Sequence, residues 1–178
     1  RIEDVCTPDA LRRNPELVLN FYNMRREQLS KVEPNAAHFA LVELEKYFTV
    51  DIVTQNVDNL HERAGSSNVL HLHGELLKSR SIKNPSLIVD TPGDVHIGDF
   101  APDGSQLRPH IVFFGEKVPE LESGAKLFSL AEIFIVVGTS LAVYPAAGLV
   151  DYVRHGVSSF LVDPADVRPS YREFTHIK

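Results

Sequence analysis

Three short polar stretches in this sequence each follow directly on a β-rich run. Val50 to Thr54 leads into Gln55-Asn56-Val57-Asp58, Ile133 to Val137 into Gly138-Thr139-Ser140, and Ser158 to Val162 into Asp163-Pro164. Amides, hydroxyls and a carboxylate are the groups that hydrogen-bond a ribose and a pyrophosphate. In an open α/β sheet, ligands bind at the carboxyl ends of the strands, so three such ends on one edge would ring a single crevice. Taken singly, each stretch also has a plain structural use, as a turn or a helix cap. No G-x-G-x-x-G phosphate loop occurs. Leu72-His73-Gly74 adds an imidazole, a group that titrates near neutral pH and suits proton transfer. The glycine beside it admits close backbone approach. His71 stands two residues earlier, but no further ligand at a sensible spacing makes the two histidines a metal site. A structural hydrogen bond is the plainer use of any one of the eight histidines.

The elements that must position these residues are legible around them. Thr7-Pro8-Asp9 and Asn14-Pro15-Glu16 are helix starts: a capping side chain, proline at the first helical position, then an acid. The second helix is expected to run to about Ser30. Pro34-Asn35 precedes a third, expected to carry Leu41, Val42, Leu44 and Phe48. Ile133 to Val137 is a continuous apolar run, as expected of a strand buried on both faces. A helical stretch from about Pro145 to His155 separates it from Ser158–Val162, and strand, helix, strand in that order gives a βαβ unit. Residues 78–108 differ, with three prolines, three glycines and only short apolar runs. They are expected to form loops with a hairpin. The fold expected is α/β, a Rossmann-like parallel sheet with a small inserted module.

At this point the residues resemble a known family, the sirtuins. Thr54-Gln55-Asn56-Val57-Asp58-Asn59-Leu60-His61 resembles the family's T-Q-N-x-D-x-L-H motif, and Leu72-His73-Gly74 its histidine-glycine motif. Pro109-His110-Ile111-Val112-Phe113-Phe114-Gly115-Glu116 is similar to its P-x-V-x-F-G-E segment. Gly138-Thr139-Ser140-Leu141, followed by Val143 and Pro145, resembles G-T-S-L-x-V-x-P. The likeness runs from about residue 5 to 165. There are three departures. The family's opening strand, with its G-A-G-I-S loop and P-x-F-R stretch, is not in this sequence, so residues 1–178 are expected to be an N-terminally incomplete catalytic core that binds NAD weakly alone. The inserted module at 78–108 has none of the cysteines that commonly hold zinc there. Asp163 stands where many relatives have asparagine.

The resemblance implies NAD-dependent removal of acyl groups from lysine. The acyl oxygen displaces nicotinamide at the ribose carbon, and a base then helps a ribose hydroxyl take the acyl group, giving lysine, nicotinamide and O-acyl-ADP-ribose. By the same resemblance His73 is the base. Asn56 and Asp58 hold the nicotinamide and its ribose, with Gln55 on a ribose. Gly138, Thr139 and Ser140 bind phosphate or ribose, and Asp163 the adenosine ribose. Val112, Phe113, Phe114, Gly115 and Glu116 form the wall along which the acyl-lysine peptide lies by strand addition, one of the two phenylalanines serving only as core.

On the second helix Val18, Tyr22, Arg25 and Leu29 fall on one stripe, so Arg25 interrupts an apolar face. Such an arginine can extend its head to water or pair with an internal acid. Tyr22 and Arg25 also resemble the Y-x-x-R motif of class III sirtuins, which reads the carboxylate of a succinyl or malonyl group. The planar guanidinium fork matches that carboxylate. A preference for acidic acyl groups is therefore expected.

Composition bounds these readings. Net charge is −6 with both signs mixed along the chain, which argues against nucleic-acid binding. No apolar run approaches the roughly 20 residues of a membrane span, no signal peptide is visible, and a cytoplasmic protein is expected. Cys6 is the only cysteine, which excludes an internal disulfide and a cysteine-based zinc cluster. It is expected to be a buried or half-buried small side chain. Two other functions fit the same residues: mono-ADP-ribosyl transfer on this scaffold, and binding of NAD or peptide without turnover. Oligomeric state is not encoded in any recognisable pattern.

Overall fold

The computed structural model describes residues 4–139, 141–164 and 172–178. These divide into two compact units, Arg1–Lys117 and Val118–Lys178.

The first unit begins with three helices, α1 (Pro8–Arg13), α2 (Pro15–Leu29) and α3 (Ala36–Leu44). Their starts are those the capping residues dictate. Thr7 Oγ1 accepts from the Ala10 amide at 3.0 Å, Asn14 Oδ1 from Leu17 at 3.1 Å, and Asn35 Oδ1 from Ala37 and His38. Helix α3 stops short of Phe48, which is exposed. Its end tightens into three-residue turns, with Glu45 N bonding Val42 O and Lys46 N bonding Glu43 O.

Strand β1 (Ile52–Thr54) leads through a short loop to α4 (Leu60–Ala64) and pairs in parallel with β2 (Val69–His71), Thr54 opposite His71. Residues 74–111 then form an antiparallel sheet in the order β4–β3–β5, from β3 (Gly74–Ser81), β4 (Ile88–Asp90) and β5 (Leu107–Ile111). The hairpin expected in the insert is β3–β4. Gly74 is the hinge into this sheet. Its φ is +84°, and a Cβ there would lie 2.0 Å from the His110 carbonyl oxygen, so only glycine lets β3 and β5 approach.

Val18, Tyr22 and Leu29 of α2 pack on Leu76, Ile111 and Phe113, forming this unit's core. Each such side chain fully buried contributes about 1.5–3 kcal/mol. The cation on the core side of α2 is Arg26 rather than Arg25. Arg26 is 3% exposed, while Arg25 is exposed. The buried face of α2 also includes Leu19 and Asn23, which widens it beyond the Val18–Tyr22–Leu29 stripe toward Arg26 and leaves Arg25 at its edge. Its guanidinium donates to the Leu76 carbonyl at 2.9 Å and to Asn23 Oδ1 at 2.9 Å.

The second unit holds α5 (Leu121–Leu130), β6 (Ile133–Val137), a 3₁₀ helix over Ala146–Tyr152, β7 (Ser158–Val162) and β8 (Thr175–Ile177). The three strands are parallel in the order β6–β7–β8, with Ile133 opposite Ser158 and Val137 opposite Val162. The stretch expected as a helix from 145 to 155 is the shorter 3₁₀ segment. Strand β6 is not buried on both faces. Phe134 and Val136 are buried against Val150, Val153 and Leu161, whereas Ile133, Ile135 and Val137 are exposed, because side chains alternate across a strand and packing covers one side. Parallel pairing of β1 with β2 across α4, and of β6 with β7 across the 3₁₀ segment, is the α/β, Rossmann-like arrangement expected from the sequence.

Candidate active site

The register of β1 against β2 builds the centre of the first unit. Thr54 ends β1 beside His71 at the end of β2, so residues 55–58 leave next to 72–74. Two backbone bonds tie these regions together. The Leu72 amide donates to the Thr54 carbonyl at 3.0 Å, and the Leu76 amide to the Val57 carbonyl at 2.7 Å. The Thr54 hydroxyl accepts from the Asn56 amide at 3.0 Å, and Asp58 Oδ1 from the Leu60 amide at 3.1 Å, leading the chain into α4.

His73 is part-buried with Nδ1 3.2 Å from the Gln55 carbonyl oxygen. A carbonyl only accepts, so Nδ1 carries the hydrogen and Nε2 presents its lone pair, the form of a general base. The His73 carbonyl accepts from the Val112 amide at 2.9 Å, which sets the start of the 112–116 segment beside the imidazole.

That segment divides its residues between inside and outside. Phe113 is 1% exposed, stacked against Tyr22 with ring centroids 5.8 Å apart and with the Arg108 guanidinium 3.9 Å from its centroid. Phe114 is 54% exposed and Gly115 is exposed, while Val112 is half-buried. Phe113 is thus the phenylalanine that serves as core. Glu116 turns inward. Its Oε1 accepts from Arg108 at 2.6 Å, and its Oε2 from Arg108 and Arg80, each at 3.1 Å, and from the Phe113 amide at 2.8 Å. It ties its own loop to β5 and β3, as a brace that shapes the segment.

Tyr22 and Arg25 go different ways. The Tyr22 hydroxyl lies 3.1 Å from Cys6 Sγ in the core, and burial, then this bond, raise the phenol's pKa. Cys6 is half-buried, the setting expected for it. Arg25 Nη1 donates to Gln28 Oε1 at 3.1 Å. Both line a cavity of about 420 Å³ with Lys31, Val57, Asp58 and Leu76. Basic side chains of α2 and the turn after it therefore share a cavity with the loop that follows β1. Gln28 and Lys31 were not singled out in the sequence; Gln28 lies three residues on from Arg25, on the same helical side, while Lys31 is in the turn after α2, where no helical pattern marks it.

In the second unit, Gly138 follows β6 with φ +60° and open space where a Cβ would stand, and its amide donates to the Val162 carbonyl at 3.1 Å. Thr139 Oγ1 accepts from the Leu141 amide at 3.2 Å. Asp163 follows β7, its amide bonded to the Ile177 carbonyl and its carbonyl to His176 Nε2 at 2.7 Å. Ser140 lies outside the described residues.

Each unit by itself carries groups of the kind that suit NAD: amides and a carboxylate after β1 in the first, and backbone N–H, hydroxyl and carboxylate groups after β6 and β7 in the second. The residues do not fit zinc. The chain has one cysteine, and among the described residues no group of three or more histidine, cysteine or acidic side chains could hold a metal ion. Among the described residues, no helix is long and apolar enough to cross a membrane.

Comparison with known proteins agrees with the motifs. A family profile described as "Sir2 family" matches residues 1–145. An NAD-dependent protein deacylase of Aggregatibacter actinomycetemcomitans is 57% identical over 164 residues, which are 92% of this chain and 79% of that protein. A solved Sir2 homolog–NAD complex superposes with a TM-score of 0.84 at 37% identity, covering 93% of this chain and 67% of the other. A Sir2 bound to acetylated peptide gives 0.77 at 33% identity, covering 90% and 71%. The motifs thus lie on the elements expected of them, and the likeness extends through most of the sequence in both kinds of comparison: the chain belongs to the Sir2 family.

Proposed function

We propose that this Sir2-family enzyme, an NAD-dependent protein deacylase, removes acyl groups that end in a carboxylate, succinyl or malonyl, in preference to acetyl. The observation that carries the preference is the cavity in which Arg25 meets Val57 and Asp58 of the loop after β1. A guanidinium over a largely apolar cavity suits an alkyl chain with a terminal carboxylate.

NAD, when bound, supplies the ribose carbon from which nicotinamide leaves and the hydroxyl that receives the acyl group. The residues of this chain do the rest. Asn56 and Asp58 hold the nicotinamide and its ribose, and Gln55 a ribose. Gly138, Thr139 and Asp163 take ribose and phosphate oxygens, a role Ser140 shares. His73, its Nδ1 bound to the Gln55 carbonyl, takes a proton at Nε2. Val112, Phe114 and Gly115 form the edge along which a peptide adds as a strand, shaped from within by Phe113 and Glu116. Arg25 contacts the acyl carboxylate, with Tyr22 packed beneath the same helix.

The test is nicotinamide release with acetyl-, malonyl-, succinyl- and glutaryl-lysine peptides, with intact mass followed in parallel. Faster turnover of the acidic acyl peptides is expected. A faster reaction on acetyl-lysine refutes the preference, ADP-ribose added to protein points to transfer, and no release with any peptide points to binding without turnover.

A further inference from the structure

His71 has no part in the chemistry above, yet its side chain is only 7% exposed and both ring nitrogens are engaged. Nδ1 is 3.0 Å from the Asn56 carbonyl oxygen, and Nε2 is 2.8 Å from Glu62 Oε1 on α4. His71 ends β2 and His73 lies in the short turn that leads into β3, and both rings reach back to the loop after β1. His73 bonds the Gln55 carbonyl, His71 the Asn56 carbonyl, and the Leu76 amide the Val57 carbonyl. Three consecutive carbonyls of one loop are thus held by residues 71–76. The middle link is the one that also ties the loop to α4.

We infer that His71 is a positioning residue: through its ring it locks the Asn56 peptide to Glu62, and so fixes the pose in which Asn56 and Asp58 meet the nicotinamide end of NAD. The inference rests on the site assignment proposed above. The geometry does not suit the metal-ligand use that the His71-x-His73 spacing suggests: each ring nitrogen of His71 faces a protein acceptor, and with both bonds made both nitrogens donate, the imidazolium being paired with the Glu62 carboxylate and leaving no lone pair for a metal. A loop whose side chains contact the ligand gains affinity when its backbone is held in the bound form beforehand. Removing the clamp therefore weakens NAD binding without touching a contact atom.

Two substitutions separate the two bonds. Asparagine places its amide nitrogen near the position of Nδ1, so His71→Asn keeps the link to the Asn56 carbonyl and loses Glu62. Glutamine places its amide near Nε2, so His71→Gln keeps Glu62 and loses the carbonyl. In calorimetric titration with NAD, His71→Gln is expected to bind about tenfold more weakly than the parent protein, the worth of one buried hydrogen bond. His71→Asn should stay within about threefold. The KM for acyl-peptide should be unchanged in both. Wild-type-like NAD affinity in His71→Gln, or equal weakening in both variants in step with their melting temperatures, overturns the inference. Amide hydrogen exchange over residues 55–60 tests the clamp without NAD. Faster exchange in His71→Gln than in His71→Asn is expected, and equal exchange overturns it. A parent protein that turns over no acyl-peptide would defeat the deacylase reading, while the exchange comparison would still judge His71.

Discussion

Asn23 and Val95, 72 positions apart, exchange two hydrogen bonds: Asn23 Nδ2 donates to the Val95 carbonyl at 3.0 Å, and the Val95 amide donates to Asn23 Oδ1 at 2.9 Å. Both residues are buried, and the pair fastens α2 to the segment after β4 as a strand ladder would. Arg26 extends the link, donating to Asn23, to the Leu76 carbonyl and, at 3.5 Å, to Ser79 Oγ. Asn23→Ala leaves the amide and carbonyl of Val95 without these partners, at about 1–3 kcal/mol for each group. Urea unfolding should show that loss as a lower midpoint with an unchanged slope.

The insert is expected to hold without zinc. The contacts of Asn23 and Arg26 tie it to α2, and Ser81 Oγ donates to Asp103 at 2.7 Å within it. Exhaustive chelation should leave the melting temperature unchanged and metal analysis should find no stoichiometric zinc. Zinc whose removal unfolds the chain would contradict this.

His73→Asn retains an amide donor near the Nδ1 position for the Gln55 carbonyl but has nothing at the position of Nε2. Deacylation should fall by about 10²–10⁴, the usual contribution of a general base, with little change in melting temperature. Undiminished turnover would remove His73 from the base role.

Arg25→Met should cost succinyl- or malonyl-lysine turnover about 10- to 100-fold in kcat/KM, as loss of a charge-assisted bond worth ~1.5–3 kcal/mol. Acetyl-lysine should be little affected. Tyr22→Phe removes only the hydroxyl that faces Cys6, so it should alter acyl preference less than Arg25→Met does. The peptide panel run on both variants checks the order.

Glu116 supplies a pH dependence. Burial alone raises its pKa, but the bonds from Arg108 and the Phe113 amide and the charges of Arg108 and Arg80 outweigh this and hold the carboxyl below its usual range. With the folded value below the unfolded one, the stabilisation is in full force above the ordinary glutamate range and is lost as pH falls through the depressed value. Glu116→Gln should melt lower at neutral pH and lose less on acidification than the parent protein. Parallel melting curves across the acid range would show that the carboxylate contributes nothing.

Sequence alone determined what depends on neighbours along the chain. Helix starts at Thr7, Asn14 and Asn35 follow from a side chain bonding an amide two or three residues on, so their signals are local and the structure reproduces them. The strand runs Ile133–Val137 and Ser158–Val162 were legible because branched apolar residues cluster where a parallel ladder forms. The motifs of the family are contiguous too, so the resemblance that implies the NAD-binding residues and the base is legible in the sequence itself.

Tertiary structure decided what depends on which surface meets which. Arg25 and Arg26 are adjacent and chemically alike, and only the packing of α2 on Leu76 and Phe113 puts one in the core and the other in a cavity. Phe113 and Phe114 are indistinguishable in sequence, and Glu116 turned inward because Arg80 and Arg108 come from other strands to meet it. Which face of β6 packs is likewise set by Val150, Val153 and Leu161, and residue type along Ile133–Val137, apolar throughout, does not encode it. The clamp at His71 depends on the parallel register of β1 and β2, a pairing between segments 15 residues apart that no local pattern specifies. Capping and propensity act over one turn of chain, whereas facing and pairing are set by contacts whose partners are remote in sequence.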